Sequence, residues 1–147
     1  MLGTMHSAVL RRYEARVRSL LNDCDSGLID FDAIESPDQD EYTPLHYATI
    51  LRMHNILSIL HDATADVTAK DRFGLTPIHW AALQLDDYTI GVLCSSIFDV
   101  DLYDNMEQTP LYLACVEGRD KSGNTDPVAL KDCIGVLLEH NPEVNIV

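Results

Sequence analysis

The fold class predicted by the sequence is all-α, a solenoid of stacked helix–turn–helix units. Two observations carry this. A six-residue pattern returns three times, as Thr43-Pro44-Leu45-His46-Tyr47-Ala48, Thr76-Pro77-Ile78-His79-Trp80-Ala81 and Thr109-Pro110-Leu111-Tyr112-Leu113-Ala114, at a start-to-start spacing of 33 residues. Each copy is followed by a second apolar segment at helical spacing. A fixed period of this size belongs to a chain of stacked units rather than to a single globular core.

The first helix of each unit is read from its opening residues. Thr is a good N-cap, because its hydroxyl accepts from an orphan N–H of the first turn. Pro suits the first helical position, where a missing N–H costs nothing. Leu or Ile then points into the core, and the small Ala lets a neighbouring helix approach. The second helices are Asn55-Ile56-Leu57-Ser58-Ile59-Leu60, Thr89-Ile90-Gly91-Val92-Leu93 and Ile134-Gly135-Val136-Leu137-Leu138. An Asp stands five residues before each Thr, at Asp38, Asp71 and Asp104.

This pattern resembles the ankyrin repeat family, whose marks are the 33-residue period and the T-P-L-H-x-A signature. The resemblance implies an ankyrin-repeat solenoid with hairpin-like loops. The expected division is a degenerate N-terminal capping repeat and acidic loop over 1–37, then repeats over 38–70, 71–103 and 104–147. The capping unit places Met5-His6-Ser7-Ala8-Val9 at the signature position. The last repeat carries a polar insertion near 119–127, before Asp126-Pro127 opens its second helix. The family's hairpin-tip Gly survives only as Gly74. Glu41 and Glu107 stand in the other two places, so altered tips or a local cost are expected there. The Gly between the helices survives only as Gly118, with Arg52 and Leu85 elsewhere. Ile134, Val136 and Leu137 are expected near an uncovered stack end, which predicts that the chain is the N-terminal part of a larger protein.

Charge is strongly uneven. The formal net charge is −14, from 10 basic and 24 acidic side chains. Nucleic acid and anionic membranes repel such a chain. Residues 1–22 are the exception, with Arg11, Arg12, Arg16 and Arg18 against Glu14, read as the solvated face of an N-terminal helix. No apolar run reaches the roughly 20 residues of a membrane span. Cys24, Cys94, Cys115 and Cys133 have no close spacing suited to zinc and are read as free thiols, mostly buried. Cys94 and Cys115 are expected on repeat helices in buried or semi-buried positions. His46 and His79 are read as structural. His54 and His61 lie two turns apart and are not expected to share a metal. The alternation Asp120, Ser122, Asn124, Asp126 lacks the Gly placement and terminal Glu of a calcium loop. No cofactor and no catalytic constellation are expected.

The resemblance implies protein binding through the loop tips and the concave face of the first helices. Those positions are Gln39, Asp40, Tyr42, Ile50 and Leu51, then Arg72, Phe73, Leu75, Leu83 and Gln84, then Asn105, Met106, Gln108, Val116 and Glu117. The expected partner-binding set is Tyr42, Ile50, Leu51, Arg72, Phe73, Leu75, Leu83, Met106, Val116 and Glu117, with Tyr42, Phe73 and Met106 as a stripe near the tips. The acidic balance suggests a protein partner with a basic segment around an apolar anchor. The leading reading is a cytoplasmic, non-enzymatic scaffold or adaptor. The alternatives are a stand-alone ankyrin-type inhibitor of an enzyme such as a kinase, or the targeting module of a multidomain enzyme. Asn145 stands where family members are hydroxylated.

Overall fold

A computed structural model describes residues 4–12, 14–25, 27, 35–97, 99–120 and 122–140. Most of the expected acidic loop, the side chain of Cys24, and Asn145 lie outside the described residues. Eight helices are present among them: α1 (Thr4–Leu10), α2 (Glu14–Asp25), α3 (Pro44–Ile50), α4 (His54–Asp62), α5 (Pro77–Leu83), α6 (Asp87–Cys94), α7 (Pro110–Glu117) and α8 (Pro127–Glu139). No strand occurs among the described residues.

The helices form two layers. α1, α3, α5 and α7 pack in succession as the first layer, and α2, α4, α6 and α8 as the second. Each odd-numbered helix also packs on the even-numbered helix that follows it, so the chain advances as helix pairs. One core runs between the layers. Leu45, Ile78, Leu57, Ile90 and Leu93 are fully buried in it, each contributing about 1.5–3 kcal/mol of apolar burial. Val17 and Leu20 of α2 join this core, while Arg11, Arg12, Arg16 and Arg18 are exposed.

Local chemistry explains the starts of the first-layer helices. Thr43, Thr76 and Thr109 are extended N-caps, each followed by Pro at the first helical position. The Thr hydroxyl accepts from the His46 N–H at 3.4 Å in α3 and from the Tyr112 N–H at 3.2 Å in α7. The buried histidines close the caps from the other side. Nδ1 of His46 accepts from the Thr43 N–H at 3.2 Å, and Nδ1 of His79 from the Thr76 N–H at 3.1 Å.

The same histidines join successive pairs. Nε2 of His46 donates to the Leu75 carbonyl at 3.0 Å, and Nε2 of His79 to the Gln108 carbonyl at 3.2 Å. His6 makes the matching bond to the Tyr42 carbonyl at 2.8 Å. Tyr112 holds this place in α7 and is 48% exposed.

The hairpin tips keep one backbone shape despite their residues. Glu41, Gly74 and Glu107 have φ of 64°, 76° and 59°. Their N–H groups donate to the carbonyls of Asp38, Asp71 and Asp104 at 3.0, 2.9 and 3.1 Å. The tips are therefore unaltered, and the expected cost sits in the two left-handed glutamates. Changing Glu107 to Gly relieves about 1–2 kcal/mol of left-handed strain and loses about 0.4–1 kcal/mol to the freer unfolded chain. The expected net gain is about 0.5 kcal/mol. A higher urea midpoint at unchanged slope would report it, and an unchanged or lower midpoint would contradict it. The inter-helix positions reverse the expectation drawn from glycine. Arg52 and Leu85 both take φ 52°, whereas Gly118 has φ −57°. Gly118 is constrained by space instead, because an added Cβ would lie 2.4 Å from the Ala114 carbonyl oxygen and 2.5 Å from Leu85.

The polar insertion of the last repeat contains a defined turn. Oδ1 of Asp120 accepts from Ser122 and Asn124 N–H at 2.7 and 3.0 Å, and Gly123 has φ 78°. Asp71 makes the same pair of bonds, to Phe73 and Leu75 N–H at 2.9 and 3.0 Å. Asp120-Lys121-Ser122-Gly123-Asn124-Thr125 thus matches Asp71-Arg72-Phe73-Gly74-Leu75-Thr76 in sequence and, over its described residues, in hydrogen bonding. The turn rests on the preceding pair through the Arg119 N–H, which donates to the Leu83 carbonyl at 2.8 Å.

Candidate functional site

The tips are braced by the aspartates that begin them. Oδ1 of Asp38, Asp71 and Asp104 each accepts two tip N–H groups, so the residue two places later is held outward. Adjacent tips are tied through backbone. Arg72 N–H donates to the Asp40 carbonyl at 3.2 Å, and Asn105 N–H to the Phe73 carbonyl at 3.1 Å. Arg72 also pairs with Asp40 at 2.7 Å and lies 5.5 Å from the Phe73 ring centre. That ion pair is more than half exposed, so it orients the tip more than it stabilises the fold.

Between the third and fourth helix pairs, under the tips, lies a groove of ≈ 280 Å³. Phe73, Leu75, Leu83, Met106 and Glu117 line it, joined by Asn105, Gln108, Asp104 and Leu113. Five of the ten residues expected to bind a partner therefore converge in one groove. Phe73 is 54% exposed and Met106 76% exposed, and both line the one groove, so they form a contiguous apolar patch rather than scattered exposed residues.

The other five stand elsewhere. Arg72 is on the tip, bonded as above. Val116, 52% exposed on α7, is one period after Leu83. Ile50 and Leu51 are half-buried at the end of α3, where Gln84 Nε2 donates to the Ile50 carbonyl at 2.6 Å. Tyr42 is half-buried among rings, with centroids 5.5 Å from Tyr47, 5.9 Å from His46 and 6.2 Å from Trp80. The expected Tyr42–Phe73–Met106 stripe is corrected by register. Phe73 and Met106 stand two residues after their aspartates, whereas Tyr42 stands four after Asp38. Asp40 holds the matching place, and Tyr42 corresponds to Leu75.

Sequence reasoning missed Asp104 and Leu113 as lining residues. The signal available was substitution at a fixed period, since Leu113 follows Tyr47 and Trp80 at the same position.

Cysteine placement also needs one correction. Cys94 is buried, but Cys115 is exposed. The equivalent Thr49 and Ala82 are buried because another first-layer helix packs beyond theirs; no first-layer helix packs beyond α7 among the described residues. Burial pushes the Cys94 thiol up to about 12, which suppresses its thiolate and its reactivity. The outer histidines are bonded separately, His54 Nε2 to Asp86 at 2.8 Å and His61 Nε2 to Ser96 at 2.7 Å. Among the described residues no three or more His, Cys, Asp or Glu converge as a metal set, and no helix is long and apolar enough to cross a membrane.

The ankyrin repeat family model matches residues 40–72. This stretch runs from the tip at Asp40 through α3 and α4 to the tip at Arg72. No curated protein matches the chain at a significant level.

Proposed function

We propose that this chain, which belongs to the ankyrin repeat family, is a non-enzymatic protein-binding module that serves as a scaffold or adaptor in the cytoplasm. In this reading residues 38–70, 71–103 and 104–147 are repeats behind a degenerate N-terminal unit of 1–37. The partner is held against the loop tips and first-layer helices. The groove under the Phe73 and Met106 tips carries the reading, because it joins exposed apolar side chains to a rigid backbone frame. The rigid frame keeps the ordering cost of binding low. Glu117 lines the groove and is exposed, and Glu107 is exposed between the lining residues Met106 and Gln108 in the chain, which favours a partner segment with Lys or Arg around an apolar anchor.

The test is affinity capture from cell extract with the native chain and a Phe73→Glu/Met106→Glu variant. The expected result is a defined protein retained by the native chain and lost by the folded variant. Retention of the same protein by both would overturn the assignment of this face.

A further inference from the structure

Two junctions between helix pairs share one design, and the second lacks a part that the first has. Where the α3/α4 pair meets the α5/α6 pair, Tyr42 and Trp80 occupy the space under the tips, ring centres 6.2 Å apart. The Trp80 indole N–H donates to Asp71 Oδ2 at 2.9 Å. Asp71 is only 3% exposed, so this bond satisfies a buried carboxylate oxygen. In the preceding unit Tyr47 O–H donates to Asp38 Oδ2 in the same way.

One period later the positions of Tyr42 and Trp80 hold Leu75 and Leu113. Neither supplies a ring or a donor. The unfilled space is the ≈ 280 Å³ groove, lined by both leucines with Phe73, Leu83 and Met106. Asp104, the counterpart of Asp71, is 9% exposed and also lines it. Its Oδ1 accepts from Met106 and Gln108 N–H at 2.8 and 2.9 Å, as in the other tips. Its Oδ2 meets no donor among the described residues. This oxygen is open to the groove rather than sealed from it, and an accessible carboxylate oxygen is an acceptor that a ligand N–H can reach.

We propose that this groove is a socket for a tryptophan side chain of the partner protein, its indole N–H donating to Asp104 Oδ2 and its rings lying against Leu75, Leu113, Phe73 and Met106. The inference rests on the protein-binding reading and specifies its anchor. Trp80 provides the template one period earlier in the same chain. A lone cation is a poorer fit, because five of the nine lining residues are apolar. Glu107 and Glu117 place basic residues beside the tryptophan in the partner segment.

The experiment is an NMR titration of the full chain with three probes: N-acetyl-tryptophanamide, its indole N-methyl analogue, and N-acetyl-argininamide. Saturable shifts are expected at the amides of 73–75, 104–108 and 113. The methylated probe is expected to bind about tenfold more weakly, the loss of one charge-assisted hydrogen bond. Asp104→Asn keeps Oδ1 for the turn and replaces Oδ2 by a donor, so it should remove the preference for the free N–H. Leu113→Trp should fill the groove from within and abolish the shifts. Equal binding of the methylated probe, tighter binding of the arginine probe, or unchanged binding to Asp104→Asn would each overturn the socket. A captured protein that is lost with Phe73→Glu/Met106→Glu but untouched by Asp104→Asn sinks the tryptophan anchor and leaves the protein-binding reading standing. Indole binding with no protein retained leaves the indole site and sinks that reading.

Discussion

Replacing His46 by Ala is expected to destabilise the protein by about 3 kcal/mol, from the cavity and from hydrogen-bonding groups left without partners. His46 is fully buried. Its Nδ1 accepts from Thr43 and its Nε2–H donates to the Leu75 carbonyl, so one ring closes a helix cap and ties two pairs together. In a stack each pair leans on its neighbours, so losing one junction weakens the rest. Urea unfolding of native and variant chains measures the effect, and a loss of about 0.5 kcal/mol or less, the range of ordinary surface changes, would contradict it.

The same bonding fixes a pH dependence. Nδ1 is an acceptor, so the ring is neutral in the fold. Burial lowers the pKa of His46 and His79 below the ordinary 6.5, outweighing the bonds to Leu75 and Gln108 and the nearby aspartates, which raise it. With the folded values depressed, the unfolded chain takes up protons first as pH falls. The contribution of these histidines is therefore complete above pH 6.5 and is lost as pH falls through their folded values. Unfolding free energy should decline from pH 7 to pH 5, less steeply in His46→Ala. Equal slopes would show that other groups govern the decline.

Charge placed on the two tip residues is expected to abolish partner binding without harming the fold. Phe73 and Met106 are 54% and 76% exposed, so Glu at either place should alter stability by about 0.5 kcal/mol at most. In the complex each would bury a carboxylate in an apolar contact. Losses of about 2 kcal/mol or more at each anchor are typical of such positions. The double variant should therefore bind at least about a hundredfold more weakly. Val128→Glu is the control, since Val128 is 66% exposed at the start of α8, in the second helix layer, away from the groove. Tyr42→Glu is a poor substitute because Tyr42 packs among three rings and its loss would disturb folding.

Much of the architecture is legible in the sequence because its residues act locally. Thr-Pro at a helix start and apolar spacing over the next turns need no tertiary information. The fixed period then aligns His46 and His79; His6 stands 40 residues before His46, off the period by the length of the first loop, yet all three bond to the same register position of the next pair. The groove is harder to read because it arises from side chains smaller than their counterparts. Leu75 and Leu113 look like ordinary core residues until they are set against Tyr42 and Trp80. The expected stripe errs for a related reason, since it groups exposed aromatics by chemistry rather than by their distance from the tip aspartate. The turn at 120–125 repeats Asp-x-x-Gly-x-Thr in plain sight. It falls off the 33-residue period, and Asp126 separates it from Pro127, so the period conceals it. Exposure of Cys115 depends on whether a further helix packs against α7, which no single repeat position encodes.

The groove under the Phe73 and Met106 tips is the proposed binding face. Hydrogen exchange of the free chain and of its captured complex tests this most directly. Slowed exchange on binding is expected at 73–76, 104–108 and 113–117, with no change at the second-layer residues 58–62 and 87–95. Slowing confined to those second-layer segments, with the tips unaffected, would contradict the account.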